Sequence, residues 1–363
     1  MFNILLVGAL SDAKFHSKID PLLSNSMISK SYIIRFNKSY KDNTNKIKEF
    51  CFQTFLKKKK SLVFRLLHDL LSTIVLGFYV LFGRIDFVVG VYLYPHGLIA
   101  IFLAKLRNKP CLLLLPGSDL KRLANKKSYL WLINRADYFG VRGNNSRKVL
   151  ESLGIDNSRI YISHNVLDDS FIIDRGQELK KEYDVIYTGF LRKPKRLEIF
   201  LEVIRRIKLT IPLVQGIIVG SGEDMSRLEK LVIEYNLQEN ITFSGYTDKI
   251  ENYLLKSKIF LLTSSSEGLP MSIIEAMAAG LPIVTSDIND ISDVVENGVN
   301  GYLINPDDIN SYYEKVLDLL ENDSKADIFG KNSKTIILNQ FQKNYSFNAV
   351  YQKWDSLLRE LLM

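Results

Sequence analysis

The sequence predicts an α/β protein with two parallel sheets, each covered by helices on both faces. Three observations predict it. Short apolar runs alternate with helical stretches of roughly ten or more residues, the pattern that crossovers between parallel strands impose. Several of these runs are continuous rather than alternating, as strands buried on both faces require. The length, 363 residues, is long for one hydrophobic core and suits two.

In the first half the strand candidates are residues 3–7, 32–35, 87–91, 111–115 and 138–141. In the second half they are 184–187, 216–219, 241–243, 259–262, 282–285 and 302–304. Between the halves, Asp174-Arg175-Gly176-Gln177-Glu178-Leu179-Lys180-Lys181-Glu182 is polar and contains a glycine, which suits a linker. The expected domains are therefore residues 1–174 and 183–345. A closing helix near 347–361 carries Trp354, Leu357, Leu358 and Leu361 at helical spacing, so residues 346–363 form a separate segment.

Composition narrows the class. A hydrophobic share of 47% beside 24% charged residues fits a soluble globular protein. Cys51 and Cys111 lie in unrelated segments without metal-ligand spacing, which implies buried thiols in a reducing compartment. With four histidines in the chain, a His-rich metal site is excluded. The start, Met1-Phe2-Asn3-Ile4-Leu5-Leu6-Val7-Gly8, has no basic n-region and a strand-length apolar run. A signal peptide is not expected there, and the chain is expected in the cytoplasm.

Charge is distributed unevenly. Residues 1–175 carry a net +14 and the remainder −6, so the first half is expected to face an anionic partner. Within it, Lys57-Lys58-Lys59-Lys60 precedes an apolar stretch, 62–82, that is interrupted by Arg65, His68 and Asp69. Those residues make a poor membrane span, and the uncharged remainder, 70–82, is too short to cross. A basic cluster beside an apolar helix suits an anionic leaflet. A buried helix with a solvated lysine tip is the alternative. Nucleic acid is the weaker partner, because the basic residues are not interleaved with aromatics on strands.

The chemistry concentrates in Ser264-Ser265-Ser266-Glu267-Gly268-Leu269-Pro270-Met271-Ser272-Ile273-Ile274-Glu275-Ala276-Met277-Ala278-Ala279-Gly280-Leu281-Pro282-Ile283-Val284. Pro270 suits the first position of a helix, and Gly280 its stop before the next strand. Glu267 falls in the strand-to-helix loop and Glu275 about one turn into the helix. A helix start offers unpaired N–H groups and a positive dipole end, which together suit an anion. Carboxylates flanking such a site would repel phosphate. They are instead placed to accept hydrogen bonds from hydroxyls on either side of it. Hydroxyls on both sides of a diphosphate describe a nucleotide sugar.

The two glutamates with seven residues between them, together with the Glu-Gly-Leu-Pro entry and the Glu-Ala-Met-Ala-Ala-Gly-Leu-Pro-Ile-Val continuation, resemble glycosyltransferase family 4. The resemblance implies a retaining enzyme of the GT-B fold, with two Rossmann-like domains facing across a cleft and a last helix that crosses back to the first domain. It implies that Glu275 holds the donor ribose and Glu267 the donor sugar, while amides near Gly268 and Leu269, beside Pro270, receive a phosphate. An ordinary strand–helix–strand unit with solvated glutamates is the alternative, and the joint match of about a dozen positions weighs against it.

Asp184-Val185-Ile186-Tyr187-Thr188-Gly189-Phe190-Leu191-Arg192-Lys193-Pro194-Lys195-Arg196-Leu197 reads as strand, glycine turn at Gly189, basic loop and helix. Its cations can offset the charge that grows on a departing diphosphate. The family carries an arginine directly after the glycine and a lysine five residues later. Lys195 matches the lysine, whereas Phe190 occupies the arginine position, which makes Arg192 the candidate substitute. Gly220 and Gly222 form a Gly-x-Gly turn after the strand at 216–219, which in the family borders the nucleotide. Tyr246 follows the next strand and is a candidate contact for the base, with plain packing as the alternative.

On the acceptor side, Tyr94-Pro95-His96-Gly97 matches a family position where a histidine borders the cleft. His96 either contacts acceptor or caps a helix. Where the family has a histidine at the end of the strand at 111–115, this chain has Pro116. Asp119 is a possible polar contact in its place, with helix capping as the alternative. Ile162-Ser163-His164-Asn165-Val166-Leu167-Asp168 resembles the family turn that ends the first domain. Asn165 and Asp168 match, His164 and Val166 do not, and a structural role is expected there.

The sequence-based reading is thus a metal-independent transferase without a cofactor, using a nucleotide-sugar donor (UDP-linked rather than GDP-linked) and a lipid-linked or oligosaccharide acceptor. Asp168-Asp169 and Asp307-Asp308 sit in turns away from the donor motif, so neither is expected to hold a metal. The setting implied is bacterial surface polysaccharide assembly at the inner face of the membrane. A nucleotide-sugar epimerase and a non-catalytic donor-binding scaffold remain the alternatives.

Overall fold

In the computed structural model, residues 2–8, 19–35, 47–51, 83–115, 117, 119–120, 123, 130–131, 133–172 and 179–362 are described. The basic and apolar stretch 57–82, Pro116 and linker residues 174–178 lie outside them.

The chain forms two compact units. The first comprises residues up to Val166 together with Phe347–Met363, and the second is Leu167–Ser346. The chain thus leaves the first unit at Val166, upstream of the polar stretch that begins at Asp174.

The first unit holds a parallel sheet of seven strands: β1 (Phe2–Val7), β2 (Ile28–Arg35), β3 (Ile47–Cys51), β4 (Phe87–Val91), β5 (Cys111–Leu114), β6 (Tyr138–Val141) and β7 (Ile160–Ile162). Their order is β3-β2-β1-β4-β5-β6-β7. Because side chains alternate across a strand, each central strand feeds two cores. Leu5 and Val7, Val88, Cys111 and Leu113 join one, whereas Ile4 and Leu6, Phe87, Val89, Leu112 and Leu114 join the other. That double burial explains the unbroken apolar runs. Each such side chain contributes roughly 1.5–3 kcal/mol by leaving water. Helix α1 (Leu98–Leu106) covers the first face. The closing helix (Phe347–Leu362) covers the second with Val350, Trp354, Leu357 and Leu358, so the chain end returns to the first unit as expected.

Strands β3 and β7 were not expected from the sequence, and they form the two edges of this sheet. An edge strand needs less apolar surface, and in β3, Ile-Lys-Glu-Phe-Cys, two adjacent charged residues interrupt the apolar run. Three-residue β7 is too short to show a period.

The second unit is a parallel sheet of six strands: β8 (Tyr183–Thr188), β9 (Gly216–Val219), β10 (Ile241–Gly245), β11 (Ser257–Leu262), β12 (Ile283–Ser286) and β13 (Gly301–Ile304). Each of the six overlaps an expected run, with β12 displaced by one residue from 282–285. Their order is β10-β9-β8-β11-β12-β13. From β8 the chain winds outward through β9 and β10, then returns beside β8 and winds the other way from β11. The strand order reverses between β8 and β11, and a crevice opens beyond the carboxyl ends of strands at such a switch. The Gly189 loop follows β8 and the Glu267 loop follows β11.

Candidate active site

Helix α2 (Met271–Ala278) starts directly after Pro270, which is therefore the flanking cap residue rather than the first helical one. No side chain caps this helix start and its first turn is free of acidic residues, so the turn retains its affinity for an anion. Glu275 lies one turn further along, partly buried. At the other end Gly280, at φ +78°, closes the helix as expected. Its N–H donates to Met277 O at 3.0 Å, and Leu281 N donates to Ala276 O at 3.0 Å. Those paired bonds form a left-handed helix stop that favours glycine.

The two loops at the switch point meet. Lys195 Nζ forms an ion pair with Glu267 Oε1, and the two side chains are only 17% and 12% exposed. Ser264 Oγ donates to the same Oε1 at 2.7 Å. The main chains are tied as well: Ser265 N donates to Pro194 O at 2.9 Å, and Thr263 Oγ1 to Arg196 O at 3.0 Å. Asn289, in the turn after β12, donates from Nδ2 to the backbone carbonyl of Glu267. Glu267 is thus held both by its carboxylate and by its main chain.

The basic loop does not act as one block. Arg196 sits at φ +50°, an unusual conformation for a non-glycine residue. Its guanidinium donates to Pro306 O at 2.9 Å and to Asp307 Oδ1 at 2.8 Å. Arg192 is exposed and lies with its guanidinium carbon 4.9 Å from the centre of the Phe190 ring. Phe190, at the family's arginine position, therefore supports Arg192 from below. Beneath the loop, fully buried Tyr187 donates to Phe190 O at 3.0 Å. Burial and the nearby Glu267 charge push its phenol well above the usual range.

The glycines are needed for close approach. A Cβ on Gly220 would lie 1.9 Å from Gly189 O, and one on Gly222 would lie 2.1 Å from Leu191 O. Gly189 N donates to Val219 O at 2.9 Å, Leu191 N to Ser221 O at 3.0 Å, and Gly220 N to Gly245 O at 2.8 Å. The loops after β8, β9 and β10 are stitched backbone to backbone, which any side chain at Gly220 or Gly222 would prevent. Tyr246 follows with its ring 58% exposed and its hydroxyl donating to Asp248 Oδ1 at 2.5 Å.

In the first unit, His96 lies buried in the turn Leu93–Gly97 that leads into α1. Buried Asp119 accepts the Leu93 N–H at 3.1 Å, which binds the segment after β5 to that turn. His164 Nδ1 lies 3.3 Å from Lys353 Nζ of the closing helix. Burial, then the Lys353 and Arg142 charges, push the His164 imidazole down to about 3. Cys111 is a free, buried thiol, shifted upward chiefly by burial.

The paired aspartates have local partners. Asp168 accepts from Ser170 N at 2.8 Å, Asp307 meets Arg196, and Asp308 accepts from Ser311 N at 3.0 Å. Among the described residues, no group of three His, Cys, Asp or Glu side chains is placed to hold a metal ion. No described helix is long and apolar enough to cross a membrane. Tyr187, Ser264 and Asn289 were not singled out in the sequence as site residues.

Residues 168–336 match the family model "Glycosyl transferases group 1". The chain is 33% identical over 164 residues to a poly(ribitol-phosphate) alpha-N-acetylglucosaminyltransferase of Staphylococcus aureus (strain COL), covering 45% of this chain and 32% of that one. It is 32% identical over 204 residues to the O-antigen biosynthesis glycosyltransferase WbnH of Escherichia coli, covering 56% and 54%. The chain thus spans between a third and about half the length of these curated relatives. The crystal structure of Anabaena HepE in complex with UDP and glucose matches with a TM-score of 0.78 at 16% identity, covering 99% of this chain and 100% of that one. That likeness supports the GT-B fold class. The matched residues, 168–336, include both Lys195 and Glu267.

Proposed function

We propose that this chain is a retaining, metal-independent glycosyltransferase that moves a hexosyl-type sugar from a UDP-sugar to a lipid-linked glycan during assembly of a bacterial surface polysaccharide. The observation that carries the reading is the joining of Lys195 to Glu267 where the strand order reverses, beside a helix start with no side-chain cap. Residues 183–345 form the donor domain. Glu275 accepts hydrogen bonds from the ribose and Glu267 from the sugar, while the amides of Gly268 and Leu269 and the helix start take phosphate oxygens. Gly189, Gly220 and Gly222 let backbone approach the nucleotide, and Tyr246 offers its exposed ring to the base.

As the bond from the anomeric carbon to the diphosphate breaks, charge grows on the leaving group. Lys195 and Arg192 stabilise it, and that stabilisation is the main catalytic contribution. The acceptor hydroxyl attacks from the face the diphosphate leaves, and its proton passes to the diphosphate oxygen. The first unit, residues up to Val166 with Phe347–Met363, is the acceptor domain, with His96 and Asp119 on its acceptor side. The net +14 of residues 1–175 supports docking on the anionic inner leaflet of the cytoplasmic membrane, where a lipid-linked acceptor resides.

The test is transfer from a panel of nucleotide sugars to a polyprenyl-diphosphate-linked saccharide, with the product anomer read by NMR. The expected product keeps the donor's anomeric configuration. An inverted product, or epimerisation of the donor without acceptor, would overturn the reading.

A further inference from the structure

We infer that Asn289 is a positioning residue for donor diphosphate, acting by setting the direction of one peptide bond. The inference rests on the proposed role of the Gly268 amide. Asn289 Nδ2 donates to the carbonyl oxygen of Glu267. A peptide bond is planar and trans, so its C=O and N–H point in opposite directions. Holding the Glu267 carbonyl toward Asn289 therefore turns the Gly268 N–H away from it. The opposite peptide orientation would turn a carbonyl toward the bound anion, where it would repel.

The surroundings leave this peptide as the adjustable part. The Glu267 carboxylate is already held by Lys195 and Ser264, and the strand end is held through Thr263 and Ser265. Gly268 follows directly, and glycine has the widest freedom of backbone rotation. Without the Asn289 bond, the 267–268 peptide lies between a fixed carboxylate and a helix start with its orientation unset. Asn289 itself adopts φ +48°. Asparagine tolerates that conformation better than most residues and carries the amide donor that glycine lacks.

The test uses UDP as probe, by calorimetric titration of the full chain and its Asn289→Gly and Asn289→Asp variants. Glycine accepts the left-handed conformation and removes the side-chain amide. Aspartate keeps the shape but sets an acceptor against the Glu267 carbonyl. UDP binding is expected to weaken about fivefold or more for glycine and further for aspartate, with the melting temperature of the ligand-free glycine variant close to wild type. In 15N-glycine-labelled protein, the UDP-induced shift of the Gly268 amide should be present in wild type and lost in Asn289→Gly. Equal affinity and an equal Gly268 shift in all three proteins would overturn the inference while leaving the donor site standing. Failure of the wild type itself to bind UDP would overturn the donor-site reading, and the inference with it.

Discussion

Lys195 and Glu267 lie 72 residues apart in sequence and form an ion pair at the reversal of strand order. Each is mostly buried, so each screens the other from the cost of an unpaired charge.

Removing one partner should therefore cost more than removing both. Lys195→Ala and Glu267→Ala are each expected to lower unfolding free energy by about 1–3 kcal/mol, and the double variant by clearly less than their sum. Urea denaturation of the four proteins measures the coupling. Strict additivity would show that the pair is not an energetic unit.

The His164 imidazole gives a pH dependence. Its folded value is lowered from 6.5 to about 3, so between those values the unfolded chain binds a proton that the folded chain does not. Stability from this group is complete above about pH 6.5 and is lost as pH falls toward 3. The charged groups facing it, Lys353 and Arg142, oppose protonation further. His164→Asn should flatten the loss of melting temperature between pH 7 and 4. An unchanged slope would place the acid sensitivity elsewhere.

How the leaving group is stabilised predicts the response to chelators. With Lys195, Arg192 and helix-start amides meeting the diphosphate, transfer should survive excess EDTA. Complete loss, restored by magnesium or manganese, would contradict that assignment.

The basic first half predicts surface binding. The protein should sediment with vesicles containing anionic lipid and dissociate as salt rises. Replacing Lys57–Lys60 with glutamine should remove most of that binding and leave donor affinity intact. Equal binding by the variant would make the lysine cluster a solvated tip.

Central strands were legible in the sequence because burial on both faces makes their apolar runs continuous; β4, β6 and β9 fall on their expected residues. Edge strands β3 and β7 were not: Lys48 and Glu49 interrupt the apolar run of one, and the other is only three residues long. At the site, Lys195 and Glu267 could each be named from local motifs. Their contact could not, because it depends on the strand order that puts β11 beside β8. Gly220 and Gly222 were legible as a tight turn, yet the structure adds a different cause, the carbonyls of Gly189 and Leu191 pressed against them. Asn289 was invisible to motif reading, because its contribution is a hydrogen bond to a carbonyl 22 residues away.

The most direct measurement of the donor-site account is calorimetric titration of UDP-sugars against the wild type and Glu275→Ala. Glu275 lies one turn inside the helix and is assigned the ribose hydroxyls, and a lost charged hydrogen bond costs about 1.5–3 kcal/mol. The wild type should bind at least one UDP-sugar, and Glu275→Ala should bind it about tenfold or more weakly with an unchanged fold by circular dichroism. Equal affinity of the two proteins, or no binding of any UDP-sugar by the wild type, would contradict the account.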